Sequence, residues 1–442
     1  MGIYDLRRFL IISTWLLLLS GDCNRRYPPN TGTYKVVRQS LLEHLDKEVL
    51  PFWVSTKVNN EAWWGYLPFL DGNLRPTGKV QEHVIVQLRM LYVHAVAVSR
   101  TTDLDLKAEL LRRYQGKFGF LKRQYLDEMS GGFFDSSYDT RAGSTGFLKE
   151  TRSQVHAINF LAEIYLIIGH KEALELAKAI FSLIDNSAHD NVYGGYREYY
   201  ELPLDHPRNK IKTLSVQMHM LLALTRLHQA VPAPIYRDRF EEIFDILKVR
   251  FVIPGSKGNV CNALLYDWQE IPANGKVETK TVYGHSAELI WYLLEGATVF
   301  NKDVQALIPW LTRVTNALLE TGVSWGGAVY FAGDYRGTAQ DTKIWWWAQT
   351  ETMVALLRVY ETTRDERYWI AFEKVRRWTF RHLVPDRSGA WVPFANRWGF
   401  CRADIRAGGY WQSGFHVSRA LLQCTQTFDR IIDSQPTIVV PS

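Results

Sequence analysis

Cysteine is scarce in this chain, and neither like charge nor apolar character runs on for long. Four Cys (Cys23, Cys261, Cys401, Cys424) in 442 residues exclude a disulfide scaffold and a cysteine-rich metal module. No stretch of Lys/Arg exceeds two, and 52 bases against 46 acids leave only +6. That balance describes a solvated surface and excludes a nucleic-acid stripe. Neither a phosphate loop nor a dinucleotide fingerprint occurs. His285-x-x-Glu288 has no third ligand at a recognised metal spacing. No cofactor and no metal are therefore expected. The apolar run Phe9–Leu19 behind Arg7 and Arg8 is short for a bilayer span and has the form of a secretory core. Residues 1–22 read as a signal peptide or membrane anchor, with a secreted or periplasmic location. Cys23 leaves lipid attachment open, although Asp22 suits that cleavage poorly. Residues 23–34 read as a linker, 35–432 as one catalytic domain and 433–442 as a tail.

Aromatic residues are abundant instead: 16 Trp, 22 Tyr and 21 Phe. Many fall in a recurring glycine-then-aromatic segment, as in GGFFDSSYD (131–139), GGYREYYEL (194–202) and GGAVYFAGD (326–334). Taking Gly65, Gly132, Gly195, Gly258, Gly327 and Gly389 as markers, the steps are 67, 63, 63, 69 and 62 residues. Periods of this size signal repeated architecture. Each marker reads as a tight turn feeding a short hairpin. Between markers the apolar spacing turns helical, with room for two helices per repeat. Six such pairs close into an all-α fold, an (α/α)6 barrel with short β-hairpins at one end. An open solenoid of helix pairs is the alternative.

Counting forward from the markers finds one polar residue per repeat. Arg89, His156, His219 and Glu351 each lie 24 residues beyond their glycine, and His285 and His416 lie 27 beyond theirs. In a pseudo-sixfold barrel such positions converge on one cavity. Large rings accompany them: Trp347 four before Glu351, Trp411 five before His416. Flat apolar faces with a few polar groups suit a sugar.

The segments QLRMLY around Arg89, QVHAINFLAEIY (154–165), MHMLLAL around His219, YGHSAELIWYLLEGA (283–297), KIWWWAQTETMVALL (343–357) and the FHVSR ending resemble the N-acylglucosamine 2-epimerase and cellobiose 2-epimerase superfamily. The resemblance runs from LPFW (50–53) to FHVSRALL (415–422). It implies the same barrel and inversion, or aldose–ketose isomerisation, of a reducing mono- or disaccharide at C2 without a redox cofactor. It implies His285 and His416 as the catalytic pair, His219 as a third active-site histidine and Arg89 as the residue holding sugar oxygens. Glu288 and Glu351 match family glutamates, and Trp347 and Trp411 match sugar-stacking tryptophans. Trp346, beside Trp347, joins them as a candidate substrate contact. The chain departs from the family at Ser215, which replaces an asparagine and stays a candidate substrate contact, and at Leu222, Glu82 and His156.

Epimerisation at C2 removes a proton made acidic by an open-chain carbonyl and returns one on the other face. Two imidazoles on opposite sides of a planar enediolate suit both steps, and Arg89 is a fixed cation for its oxygens. A ketose-forming isomerase is the nearest alternative. A glycoside hydrolase built on Glu288 and Glu351 and a non-catalytic sugar binder are the others.

Overall fold

Two kinds of helix alternate along the chain, and burial separates them. The computed structural model describes residues 29–434 except 57, 60–63, 67–82, 137–148, 202–205, 272–279, 335–336, 385–388 and 402–410. The expected export segment, Cys23, Glu82, most of the first marker segment and the tail beyond Ser434 lie outside the described residues. Among the described residues no helix is long and apolar enough to cross a membrane.

The inner helices are α2 (Val84–Arg100), α4 (Thr151–Ile168), α6 (Leu214–Ala230), α8 (Tyr283–Val299), α10 (Trp346–Thr363) and α12 (Phe415–Asp433). They are buried almost all round; in α2 every residue from Val84 to Val98 is covered. Such helices carry no polar face and form only inside a shell. That shell is α1 (Thr31–His44, continued through π-helical Leu45–Val49 and Leu50–Trp53), α3 (Leu104–Tyr125), α5 (Lys171–Ser187), α7 (Pro234–Val249), α9 (Val304–Gly322) and α11 (Glu366–His382). Each outer helix buries one stripe. In α5 it is Ala173, Leu174, Ala177, Ile180, Phe181 and Ile184, the three-and-four spacing of an amphipathic helix. Asp103, Asp303 and Asp365 cap α3, α9 and α11, a start signal worth about 1 kcal/mol each. Each inner helix packs on the next, and α12 packs on α2, which closes the ring. The segment read as a linker ends earlier than expected. The Asn30 side chain accepts from the Thr33 amide and starts α1 at Thr31.

The marker turns hold the inner helices in register. Gly132 and Gly195 sit at φ +77° and +73°, and a Cβ on either would come within 2.8 Å of a glutamine side chain. Only glycine tolerates both conditions. Those glutamines are Gln154 and Gln217. The Phe133 amide donates to Gln154 Oε1 (2.7 Å), and Gln154 Nε2 donates back to the Phe133 carbonyl (2.6 Å). Gln217 grips Tyr196 in the same way (3.0 and 2.7 Å), and Gln349 grips Val329 (3.2 and 2.9 Å). Each clamp lies two residues before a site residue: His156, His219 and Glu351.

Within a repeat the turn is closed by a single bridge, such as Leu126 with Phe133 or His189 with Tyr196. Three of the longer pairings run between repeats: Ile211–Thr213 with Ala263–Leu265, Thr281–Val282 with Ala332–Gly333, and Ile344–Trp345 with Phe394–Ala395. The reason lies in the helix starts. The first amides of α2, α4, α6 and α8 donate to the carbonyls of Asp135, Glu198, Asn262 and Phe331, at 2.9 to 3.1 Å. Each marker therefore caps the inner helix of the preceding repeat. All inner helices start at this end, so their positive dipole ends face the same rim.

Candidate active site

Arg89, His156, His219, Glu288 and Glu351 are each the sixth residue of their inner helix, and so form one layer. His285 and His416, the third and second residues of α8 and α12, stand about one turn nearer the rim. The sequence count had put His285 level with the others, but Glu288 occupies that place. Marker glycine and helix start are 19 residues apart in four repeats and 25 and 26 apart in the fourth and sixth. The longer connection displaces the count.

The two upper histidines both adjoin one indole. Trp347 lies 5.3 Å from the His285 ring and 5.8 Å from the His416 ring, centroid to centroid. It is half-buried and lies where a Cβ on Gly284 would come within 2.3 Å of its ring, so glycine at the start of α8 makes its seat. Trp346 is 3% exposed and packs edge-on to His416. It forms wall behind the histidine, leaving Trp347 as the open face. Trp411, also half-buried, sits between His83 (4.8 Å) and the Arg152 guanidinium (5.7 Å). Arg89 reaches its carbonyl only at 3.5 Å and lies over the Phe415 ring. Burial lowers Arg89 to about 10, which leaves it charged, and its Nε has no hydrogen-bond partner among the described residues.

Each of the three histidines named as catalytic is held by Nδ1. His416 Nδ1 meets Glu351 Oε1 at 2.7 Å, His285 Nδ1 meets Asn262 Oδ1 at 2.7 Å, and His219 Nδ1 meets the Ser215 carbonyl at 2.7 Å. A carboxylate, an amide oxygen and a carbonyl only accept, so Nδ1 carries the hydrogen and Nε2 keeps its lone pair. Burial and Arg152 pull His285 down to about 4, and burial with Arg89 pulls His416 to about 3. His219 is also held well below the usual range, chiefly by burial. All three are neutral bases at neutral pH. Ser215 contacts His219 mainly through its backbone; its hydroxyl is 3.5 Å from Nδ1.

Beneath them lies a buried ionic cluster that sequence reasoning found only in part. Arg419 donates to Glu351 Oε1 (2.7 Å), Glu288 Oε1 (3.0 Å) and the Tyr292 hydroxyl (2.9 Å). Tyr292 donates in turn to Glu288 (3.0 Å), and Trp291 Nε1 donates to Glu351 Oε2 (3.0 Å). Burial would raise Glu351, but Arg419 and His416 outweigh it and hold the carboxyl at about 2. Burial and the Glu351 charge push Glu288 up to about 7. One arginine thus serves two carboxyls, one ionised and one holding its proton near neutrality. Arg419 is three residues beyond His416 on one helical face, and Tyr292 is four beyond Glu288; those spacings were the available signals. Asn262 occupies the marker position that is Asp135 and Glu198 in the two preceding repeats.

The donor atoms of Glu288, Glu351 and His416 lie within 4.8 Å of one another, a spacing a metal ion could use. Arg419 already bridges both carboxyls, and Glu351 is committed to His416 Nδ1, so the donor set is matched to a guanidinium and an imidazole. For the same reason the two glutamates do not flank an open cleft, as a hydrolase would need. They are 2% and 0% exposed.

Known proteins share this arrangement of chain and fold. The family model for N-acylglucosamine 2-epimerase (GlcNAc 2-epimerase) matches residues 65–417. The cellobiose 2-epimerase of Dictyoglomus turgidum is 24% identical over 401 residues, covering 88% of this chain and 98% of its own. A D-mannose isomerase of Marinomonas mediterranea is 22% identical over 377 residues, covering 79% and 87%. The solved cellobiose 2-epimerase of Spirochaeta thermophila superposes with a TM-score of 0.75 at 23% identity, covering 90% of this chain and 98% of that one. The matched model spans most of the barrel, and the chain belongs to the N-acylglucosamine 2-epimerase family.

Proposed function

We propose that the protein interconverts the C2 epimers of a reducing sugar through an enediolate, with His285 and His416 as opposed proton carriers. The observation that carries this reading is the pair itself: two imidazoles from different inner helices that both adjoin Trp347, each with Nδ1 tied back and with no hydrogen bond to Nε2 among the described residues. One Nε2 removes the C2 proton of the open-chain aldehyde. The imidazolium so formed passes its proton, through the enediol oxygens or solvent, to Nε2 of the other imidazole, which delivers it to the opposite face of the planar intermediate, and both rings end neutral. The roles exchange in the reverse direction, which is why neutral imidazoles suit both. Glu351, ionised, stabilises the imidazolium form that His416 passes through. Arg89 and the helix starts of the inner ring face the negative oxygens of the enediolate. Trp347 and Trp411 offer the sugar faces, and His219 assists opening of the ring. The proton leaves and returns, so the chemistry has no need of a redox cofactor.

Several relatives are named cellobiose 2-epimerases, so cellobiose is the first substrate to test, beside mannose and N-acetylglucosamine. The D-mannose isomerase relative supports the second reading, in which the enediolate is reprotonated at C1 to give a ketose. Incubation of each sugar in deuterium oxide, followed by NMR and chromatography, separates the readings. An aldose epimer deuterated at C2 supports the first. A ketose supports the second. Absence of both product and exchange with all three sugars overturns them together.

A further inference from the structure

We infer that Asn262 is a positioning residue: its side-chain oxygen sets the tautomer of His285 and, as an uncharged amide oxygen, leaves that imidazole a neutral base. The inference rests on the proposed function for the reaction it serves, but the hydrogen bond and the titration it sets are read on the protein alone.

Equivalent marker positions in consecutive repeats show what is different at Asn262. Asp135 accepts the amide of Glu150 at 3.2 Å, and Glu198 accepts the amide and hydroxyl of Thr213 at 2.7 and 3.1 Å. Glu150 and Thr213 immediately precede α4 and α6, so in these repeats the acid holds the lead-in to its own inner helix. In the fourth repeat the corresponding residue, Val282, pairs with Ala332 of the next repeat. The half-buried Asn262 side chain meets His285 Nδ1 at 2.7 Å instead. Its starting point is fixed on both sides. The Asn262 amide donates to the Lys280 carbonyl (3.1 Å), and its carbonyl accepts from the Leu214 amide at the start of α6 (2.9 Å).

The change from acid to amide has a chemical consequence. A carboxylate on Nδ1 would favour the imidazolium form and raise the basicity of the ring. An amide oxygen accepts the same Nδ1 hydrogen without adding charge. The other charged or titratable groups around His285 are Arg152 from α4, His219 from α6, Glu351 from α10 and Glu288 on α8 itself. Arg152 disfavours the imidazolium along with burial, and together they outweigh the Glu351 charge. His219 is neutral, and Glu288 keeps its proton near neutrality. With no charge from Asn262, His285 stays unprotonated and its Nε2 can take a proton. His416 reaches the same state by another route: its Nδ1 faces the Glu351 carboxylate, and Arg89 and Arg419 counter that charge.

Proton–nitrogen correlation spectra of the imidazoles test this, with the His285 signals identified by their loss in His285→Asn. Wild-type His285 is expected to carry its hydrogen on Nδ1. In Asn262→Asp the hydrogen stays on Nδ1, and the titration of the ring is expected to move up by about 1–3 pH units. The acid limb of the C2 exchange rate is expected to move up with it, a response that a merely structural role would not give. In Asn262→Leu, which offers no acceptor, kcat for C2 exchange is expected to fall about 10²-fold with KM little changed. A hydrogen on Nε2 of wild-type His285 overturns the inference, because the amide would then be donating to Nδ1. A His285 that titrates in Asn262→Asp as it does in wild type overturns it too, and that exchange keeps the side-chain shape where leucine does not. Exchange in Asn262→Leu within a few-fold of wild type also overturns it. If no sugar exchanges its C2 proton, the proposed function fails, while the tautomer and the titration still decide this inference.

Discussion

Glu351 accepts the Nδ1 proton of His416 at 2.7 Å on the same oxygen that receives Arg419 at 2.7 Å. That single atom therefore fixes the tautomer of the histidine and is itself fixed by the arginine. Replacing it with an amide removes the charge that supports an imidazolium while preserving shape. Glu351→Gln is expected to lower the rate of C2 deuterium exchange by about 10²-fold or more. Arg419 then faces Glu288 alone, and breaking a buried pair costs about 3–5 kcal/mol. Denaturant unfolding checks the second figure. An exchange rate within a few-fold of wild type would show that the bond only packs the core.

The displaced histidines set the pH profile. His285 at about 4 and His416 at about 3 remain bases far below the ordinary histidine range. The acid limb of the exchange rate is expected near pH 4, not near 6.5, with a plateau up to about neutrality. Glu288, raised to about 7, loses its proton on the alkaline side, and a second limb is expected there. Stability follows the same signs. Unfolded histidines bind protons that the buried ones refuse, so their contribution is intact above pH 6.5 and lost as pH falls toward the folded values. Glu288 acts oppositely: its folded value lies above the unfolded one, so its contribution is present below about pH 4.5 and lost as pH rises through 7. An acid limb at 6.5 in a rate profile would mean that the site histidines are solvated.

How much of this was legible depended on what the chain encodes locally. Gly132 and Gly195 with Gln154 and Gln217 fix the marker-to-helix distance, so counting from the glycine found His156 and His219 without knowledge of the fold. The helical spacing gave the two rings for the same reason: a helix buried all round and a helix with one stripe look different as strings. Counting misplaced His285 because the fourth connection is longer by six residues, a length no period announces. Arg419 and Tyr292 escaped for a different reason. The partners of Arg419 are on other helices, and a bond from α12 to α8 and α10 leaves no spacing in one segment; Tyr292 does lie four residues beyond its partner Glu288, a spacing any helix repeats many times. Asn262 was visible as part of a marker, but its hold on His285 spans 23 residues.

Gly284 is the substitution that probes Trp347 without touching it. A Cβ there would stand 2.3 Å from the indole, closer than atoms pack, and the indole must give way. Gly284→Ala is expected to raise KM for the sugar about tenfold. The overpacking cost is about 1–3 kcal/mol, partly offset because alanine suits a helix better than glycine. Steady-state kinetics and thermal unfolding measure the two effects. Unchanged KM would mean that Trp347 is wall and that the sugar stacks elsewhere.

The glutamine clamps make a prediction about stability that is independent of any sugar. Gln217 satisfies both the amide and the carbonyl of Tyr196 (3.0 and 2.7 Å), and all of these groups are buried. Gln217→Leu keeps the volume and strands both backbone groups, at about 1–3 kcal/mol for each. Gln217→Glu keeps the acceptor for the Tyr196 amide but brings a carboxylate against its carbonyl, so it is expected to be at least as damaging at neutral pH. It should recover partly in acid, where a protonated carboxyl can donate. Denaturant unfolding of both variants at neutral pH and at pH 5 tests this. Because the clamp sits two residues before His219, C2 exchange is expected to fall alongside stability. A leucine variant as stable as wild type would mean that the turn, with its glycines, holds its own shape, and that the 24-residue spacing reflects the turn alone.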